Sequence, residues 1–149
     1  MSSHTATVTW SRSTPAFTYE AYDRSHRIVY GGGLEVEGSA ATAFRGDAAK
    51  LNPEDALVGA LSACHMLTFL AIVARKRLVL EAYEDDAEGF LEKNAAGRLA
   101  VTRVILRPKV RFAAGVEVSA AALAELHATS HVHCFIAQSV NTKITIEPR

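Results

Sequence analysis

Two cysteines, Cys64 and Cys134, are the residues of this chain best suited to covalent chemistry, and they stand seventy positions apart. A thiolate is a nucleophile, and two thiols that meet can cycle between dithiol and disulfide. Cys64 lies in Leu61-Ser62-Ala63-Cys64-His65-Met66, inside an apolar stretch more than two helical turns from any cap. No helix dipole assists it there. His65 points about 100° away along a helix, so a reactive Cys64 needs a cation from elsewhere in the fold. Cys134 is flanked by His131 and His133 and precedes a short helix expected from Phe135, whose free N–H groups favour a negative charge. His127 and His131 share a helical face at i and i+4. With His133, Cys134 and Cys64-His65 they could supply zinc ligands, although the compact Cys-x-x-Cys signature is absent. Glu54 and Asp55 follow Asn52-Pro53 and meet the positive end of a helix dipole. A carboxylate there can also orient a guanidinium by a paired hydrogen bond. Arg24, Arg27 and Arg45 are the available arginines in loops or strand ends. The triplet Gly31-Gly32-Gly33 is followed by no helix and reads as a turn, not a phosphate loop.

The elements that position these groups can be read from pattern. Residues 5–10 and 17–22 are rich in β-branched and aromatic side chains and are predicted strands. A third strand is expected over 26–30 and a fourth, alternating at period two, over 34–37. Residues 39–50 are small and polar and read as a loop. Asn52-Pro53-Glu54-Asp55 carries an N-cap, a preorganised first helical residue and two dipole carboxylates. It predicts a helix of about 24 residues ending at Arg75-Lys76-Arg77. Strands over 79–93 and 99–112 flank a turn at Asn94-Ala95-Ala96-Gly97. Ser119 caps a second helix from Ala120 to about Ser130, His131-Val132-His133-Cys134 interrupts it, residues 135–140 form a third, and 141–147 close as a strand. That order predicts a single α+β domain over 1–149 with an antiparallel sheet.

Composition narrows the function. Of 149 residues, 49% are hydrophobic and 21% charged, enough apolar content for a core. Lys and Arg balance Asp and Glu at net zero, against the basic excess of a nucleic-acid or membrane-surface binder. Residues 56–74 carry no Asp, Glu, Lys or Arg, long enough for a membrane span. Their Gly59, Ser62, Cys64, His65 and Thr68 suit the centre of a protein instead. No basic and apolar leader opens the chain, so a reducing cytoplasm is expected. A helix apolar nearly all round must be covered nearly all round, which predicts an intimate homodimer.

Together, Asn52-Pro53-Glu54-Asp55, Ala60-Leu61-Ser62-Ala63-Cys64 on an apolar helix, and a second Cys before a short helix and a terminal strand resemble the OsmC/Ohr family of osmotically inducible and organic hydroperoxide resistance proteins. The Cys-His-Met variant looks closest to an OsmC-like branch. The resemblance implies antiparallel sheets wrapped around two central helices in an intertwined homodimer, with both cysteines in each of two interfacial active sites. It implies a thiol-dependent peroxidase that reduces alkyl or fatty-acid hydroperoxides in oxidative stress defence. In it Cys64 attacks the peroxide, Cys134 resolves the sulfenic acid as a disulfide, and Glu54 holds a catalytic arginine. Arg24 is the favoured arginine; Arg45 stands near the loop arginine of the other branch. No cofactor is implied, and the reductant is a dithiol, lipoyl compounds included. An apolar wall from Leu61, Met66, Leu67 and Phe69 is expected beside Cys64. Two positions depart from the family's pattern: His65 stands where an apolar residue is usual, and Phe135-Ile136-Ala137 replaces the Pro-x-Ser that usually follows the second Cys. A zinc protein and a non-catalytic ligand-binding dimer are the competing readings.

Overall fold

The computed structural model describes all residues, Met1–Arg149, as an α+β fold of eight strands and two helices. The chain divides into two compact units, Met1–Ala56 and Leu57–Arg149.

The first unit is an antiparallel sheet of β1 (Ala6–Thr9), β2 (His26–Tyr30) and β3 (Glu35–Gly38), in the order β1-β2-β3. Residues 17–22, expected as a strand, instead form a turn in which the N–H groups of Ala21 and Tyr22 donate to the Thr18 carbonyl. The aromatic residues that suggest a strand serve another purpose: Phe17 and Tyr22 pack ring to ring, and Tyr22 lies under the Arg24 guanidinium. The loop after β3 contains a short 3₁₀ turn, Thr42–Phe44. Gly46 closes it against Ala40, where a Cβ would come within 1.5 Å of the carbonyl oxygen, so only glycine fits.

Helix α1 (Pro53–Arg75) starts where the sequence predicts, because Asn52 Oδ1 accepts from the Asp55 N–H at 2.8 Å. By length and composition alone it could cross a membrane. Its buried stripe is Leu61, His65, Phe69 and Val73, at strict i, i+4 spacing. In the second unit β4 (Leu80–Asp85) pairs with β7 (Pro108–Phe112), and β5 (Glu88–Lys93), β6 (Leu99–Leu106) and β8 (Lys143–Ile146) form a separate sheet. The stretches read as single strands over 79–93 and 99–112 are thus each two strands in different sheets. The expected turn at Asn94 is present, with Gly97 at φ 75°. The terminal strand pairs parallel to β6, so the sheet is mixed rather than wholly antiparallel.

Helix α2 (Ala120–His133) runs further than predicted: His131 and His133 belong to it, and Cys134 is its C-cap. The expected third helix is only a 3₁₀ turn, Ala137–Ser139. Leu61 packs with Val104 and Leu106 over the β5-β6-β8 sheet. Phe69 and Val73 pack with Leu126 of α2 and with Val110 and Phe112 of β7. His65 lies on the stripe between these two clusters.

Candidate functional site

The fold brings the two cysteines together. Cys64 projects from the middle of α1 and Cys134 from the end of α2, and the two thiols lie close enough for Cys64 to shift the titration of Cys134. Both are free thiols. Cys134 is 1% exposed. Burial pushes its thiol up to about 11, and the neighbouring Cys64 pushes the same way. Backbone N–H groups of Ala137 and Ile136 oppose these effects, which is the local benefit expected of its place before a helical turn. Burial wins, because removing a charge from water costs more than two N–H donors return. Cys64 is partly exposed and lines a cavity of about 690 Å³ with Ala63, Leu67, Thr68, His133 and Phe135. Of the four residues expected to form the apolar wall, Leu67 alone lines this cavity. Leu61 and Phe69 point into the core on the other side of α1.

In the first unit, Arg24 and Glu54 line one cavity of about 720 Å³, walled by Trp10, Phe17, Tyr22 and Phe44. Sequence reasoning missed this aromatic wall. Its signal was the aromatic side chains at 10, 17, 22 and 44, the first three of which lie in stretches that also read as strands. Arg24 is buried, and its guanidinium donates to the Tyr22 carbonyl at 2.7 Å and the Tyr19 carbonyl at 2.5 Å. It lies 3.9 Å from the Tyr22 ring centroid, a cation–π contact. Trp10 Nε1 and the Ser25 N–H fix this segment through the Asp23 carbonyl and carboxylate. The expected pairing of Arg24 with Glu54 is not formed. Glu54 Oε2 is buried without a hydrogen-bond partner. Arg45 is exposed, 6.0 Å from the Tyr19 ring centroid, and lies outside the cavity lining.

No group of three or more His, Cys, Asp and Glu side chains is placed to hold a metal ion. His127 does not pair with His131 toward a ligand. It meets His65 instead, Nδ1 to Nε2 at 3.1 Å, with both rings buried. Phe69 stacks on a face of the His127 ring at 4.5 Å between centroids.

No curated protein sequence is significantly similar to the chain. Solved structures are. An OsmC-like protein of unknown function from Vibrio cholerae is 41% identical, with a TM-score of 0.96 over 100% of both chains. The organic hydroperoxide resistance protein OsmC from Legionella pneumophila is 14% identical, with a TM-score of 0.76 over 99% of this chain and 97% of its own. OhrB of Bacillus subtilis, also an organic hydroperoxide resistance protein, is 16% identical, with a TM-score of 0.71 over 99% and 98%. At such identities these last two share the fold. The family model for OsmC-like proteins matches residues 46–149, a span that holds Glu54 and both cysteines, and the chain belongs to the OsmC-like family.

Proposed function

We propose that this protein is a cytoplasmic, thiol-dependent peroxidase of organic hydroperoxides, built as one OsmC-like domain. The observation that carries the reading is the contact of two free thiols, one buried and protonated, beside an apolar cavity. Cys64 attacks the terminal peroxide oxygen as a thiolate. The O–O bond breaks, the alkoxide takes a proton to leave as an alcohol, and Cys64 becomes a sulfenic acid. Cys134 then displaces the sulfenic hydroxyl, which leaves as water, and a disulfide forms. A dithiol of lipoyl type restores both thiols by exchange and leaves as its own disulfide. The cavity walls favour alkyl over hydrogen peroxide, because buried apolar area adds binding energy. With cumene hydroperoxide and dihydrolipoamide, rapid consumption is expected, and slower consumption of hydrogen peroxide under the same conditions. Consumption of neither peroxide rejects the reading.

Arg24 and Glu54 are proposed to act on the Cys64 of a second copy. Ten residues of one helix separate Glu54 from Cys64, about 15 Å of axial rise. A carboxylate side chain does not span that distance, so a homodimer completes the site. Leu67, Val132 and Phe135 support such a dimer, being 61%, 61% and 80% exposed apolar side chains on the cysteine-bearing elements. Sedimentation is expected to give twice the 16.0 kDa chain mass, and Leu67→Glu to shift the protein to monomer. A wild-type monomer at micromolar concentration overturns the dimer.

A further inference from the structure

The His65–His127 contact has a geometry of its own. The rings are 13° from parallel with centroids 5.4 Å apart, while the facing nitrogens are 3.1 Å apart. The centroid separation exceeds the nitrogen separation by about two imidazole radii, so the rings lie end to end along one N–H···N hydrogen bond. Two nitrogens sharing a metal aim their lone pairs at a third point off the line between them. Here they aim at each other. The contact is therefore a strut between α1 and α2, not half of a ligand set.

Its place gives it a task. His65 directly follows Cys64 on α1, and His127 stands two turns before Cys134 on α2. It is the polar contact of the buried stripe, between Leu61 on one side and Phe69 on the other. Apolar side chains there tolerate sliding of one helix on the other, because dispersion has no preferred direction. An N–H···N bond does not.

We propose that His65 and His127 are positioning residues whose mutual hydrogen bond fixes the register of α2 on α1, and thereby the spacing of the Cys134 and Cys64 thiols. The strut holds while at least one ring stays neutral, since two imidazolium rings repel and neither can accept. The titratable groups facing it are His131 of α2 beside His65, and Asp85 of β4 beside His127, with Tyr83 of β4 packed on Phe69. Asp85 is itself occupied, accepting from Ser62 Oγ at 2.5 Å and the Arg107 N–H at 2.6 Å. Burial first, then the neighbouring His127 and His131, holds His65 down to about 4. Burial likewise lowers His127, opposed by Asp85. The depressed values mean that the strut is intact above about pH 5 and is lost as pH falls through about 4.

The task assigned to the strut rests on the dithiol reading above, and its test needs no peroxide. Phenylarsine oxide bridges two adjacent thiols: two As–S bonds replace the As–O bond, and the two thiol protons leave with the oxygen as water. Binding to two protonated thiols thus has no net proton dependence of its own. Wild-type protein is expected to bind the arsenical tightly at pH 7 and more weakly as pH falls through about 4. The paired substitution His65→Phe with His127→Phe keeps the volume but removes the bond. It is expected to bind up to about tenfold more weakly at pH 7, the worth of one hydrogen bond, with no acid step. Equal affinity in that variant, folded by circular dichroism, overturns the proposal. His127→Gln, whose amide can bond His65 but does not titrate, serves if the paired variant fails to fold. It is expected to hold near wild-type affinity without the acid step, and a persistent step overturns the proposal. An inactive protein that still follows this pattern rejects the peroxidase and leaves the strut.

Discussion

Cys64→Ser is expected to abolish peroxide turnover completely, whereas Cys134→Ser is expected to consume one equivalent of peroxide per chain and stop. The asymmetry follows from environment. A thiol held up at about 11 is ionised to about one part in 10⁴ at pH 7. Cys134 is therefore a poor first nucleophile in the reduced protein. Its contact with Cys64 makes the second step conditional on the first. Once Cys64 is a sulfenic acid, the smaller rise that the Cys64 thiol adds to that of burial is gone. Burial is then opposed by the Ile136 and Ala137 N–H groups alone. Oxidation of the first thiol thus prepares the second. In Cys134→Ser that relay is cut, and the sulfenic acid should persist long enough for a dimedone reagent to label it. Labelling of Cys134 in the Cys64→Ser protein, with peroxide consumed, reverses the two roles.

Local chemistry was legible in the sequence; contacts over long separations were not. Asn52, Pro53, Glu54 and Asp55 marked the start of α1 because caps and dipoles act within a single turn. The Asn94–Gly97 turn was legible for the same reason. Residues 17–22 misled because aromatic side chains suit a pleated strand and a guanidinium stack equally, and only the position of Arg24 decides between them. The split of 79–93 at Asp86 and Ala87 depends on which sheet each half joins, a matter of partners rather than propensity. Both cysteines were found by type, and their contact was implied only by the family resemblance. The histidine strut was missed altogether. Local spacing relates His65 only to Cys64 and His127 only to His131, and neither relation points to the other ring. The available signal was the spacing Leu61, His65, Phe69, Val73, which places a histidine on the buried stripe of an apolar helix. A polar residue there requires a partner.

Arg24→Ala is expected to lower kcat with an alkyl hydroperoxide by about 10² to 10³, the usual loss when one oriented donor to developing negative charge is removed. Arg45→Ala is expected to change it little. Both arginines lean toward Tyr19, but Arg24 alone is buried in the cavity that Glu54 enters. In this structure the guanidinium is tied to the Tyr19 and Tyr22 carbonyls, and Glu54 Oε2 has no partner. An unpaired buried carboxylate oxygen costs free energy that an arginine can return. Arg24 lies in an irregular segment between the 17–22 turn and β2 rather than in a strand, so its guanidinium can exchange two backbone carbonyls for Glu54 without breaking a sheet. Glu54→Gln tests the exchange separately. It keeps the shape and one acceptor but loses the charge, and it should reduce kcat less than Arg24→Ala while leaving sulfenic acid trapping in Cys134→Ser intact. Equal and small effects in both arginine variants reject the assignment. A larger loss in Arg45→Ala moves the role to the exposed loop after β3.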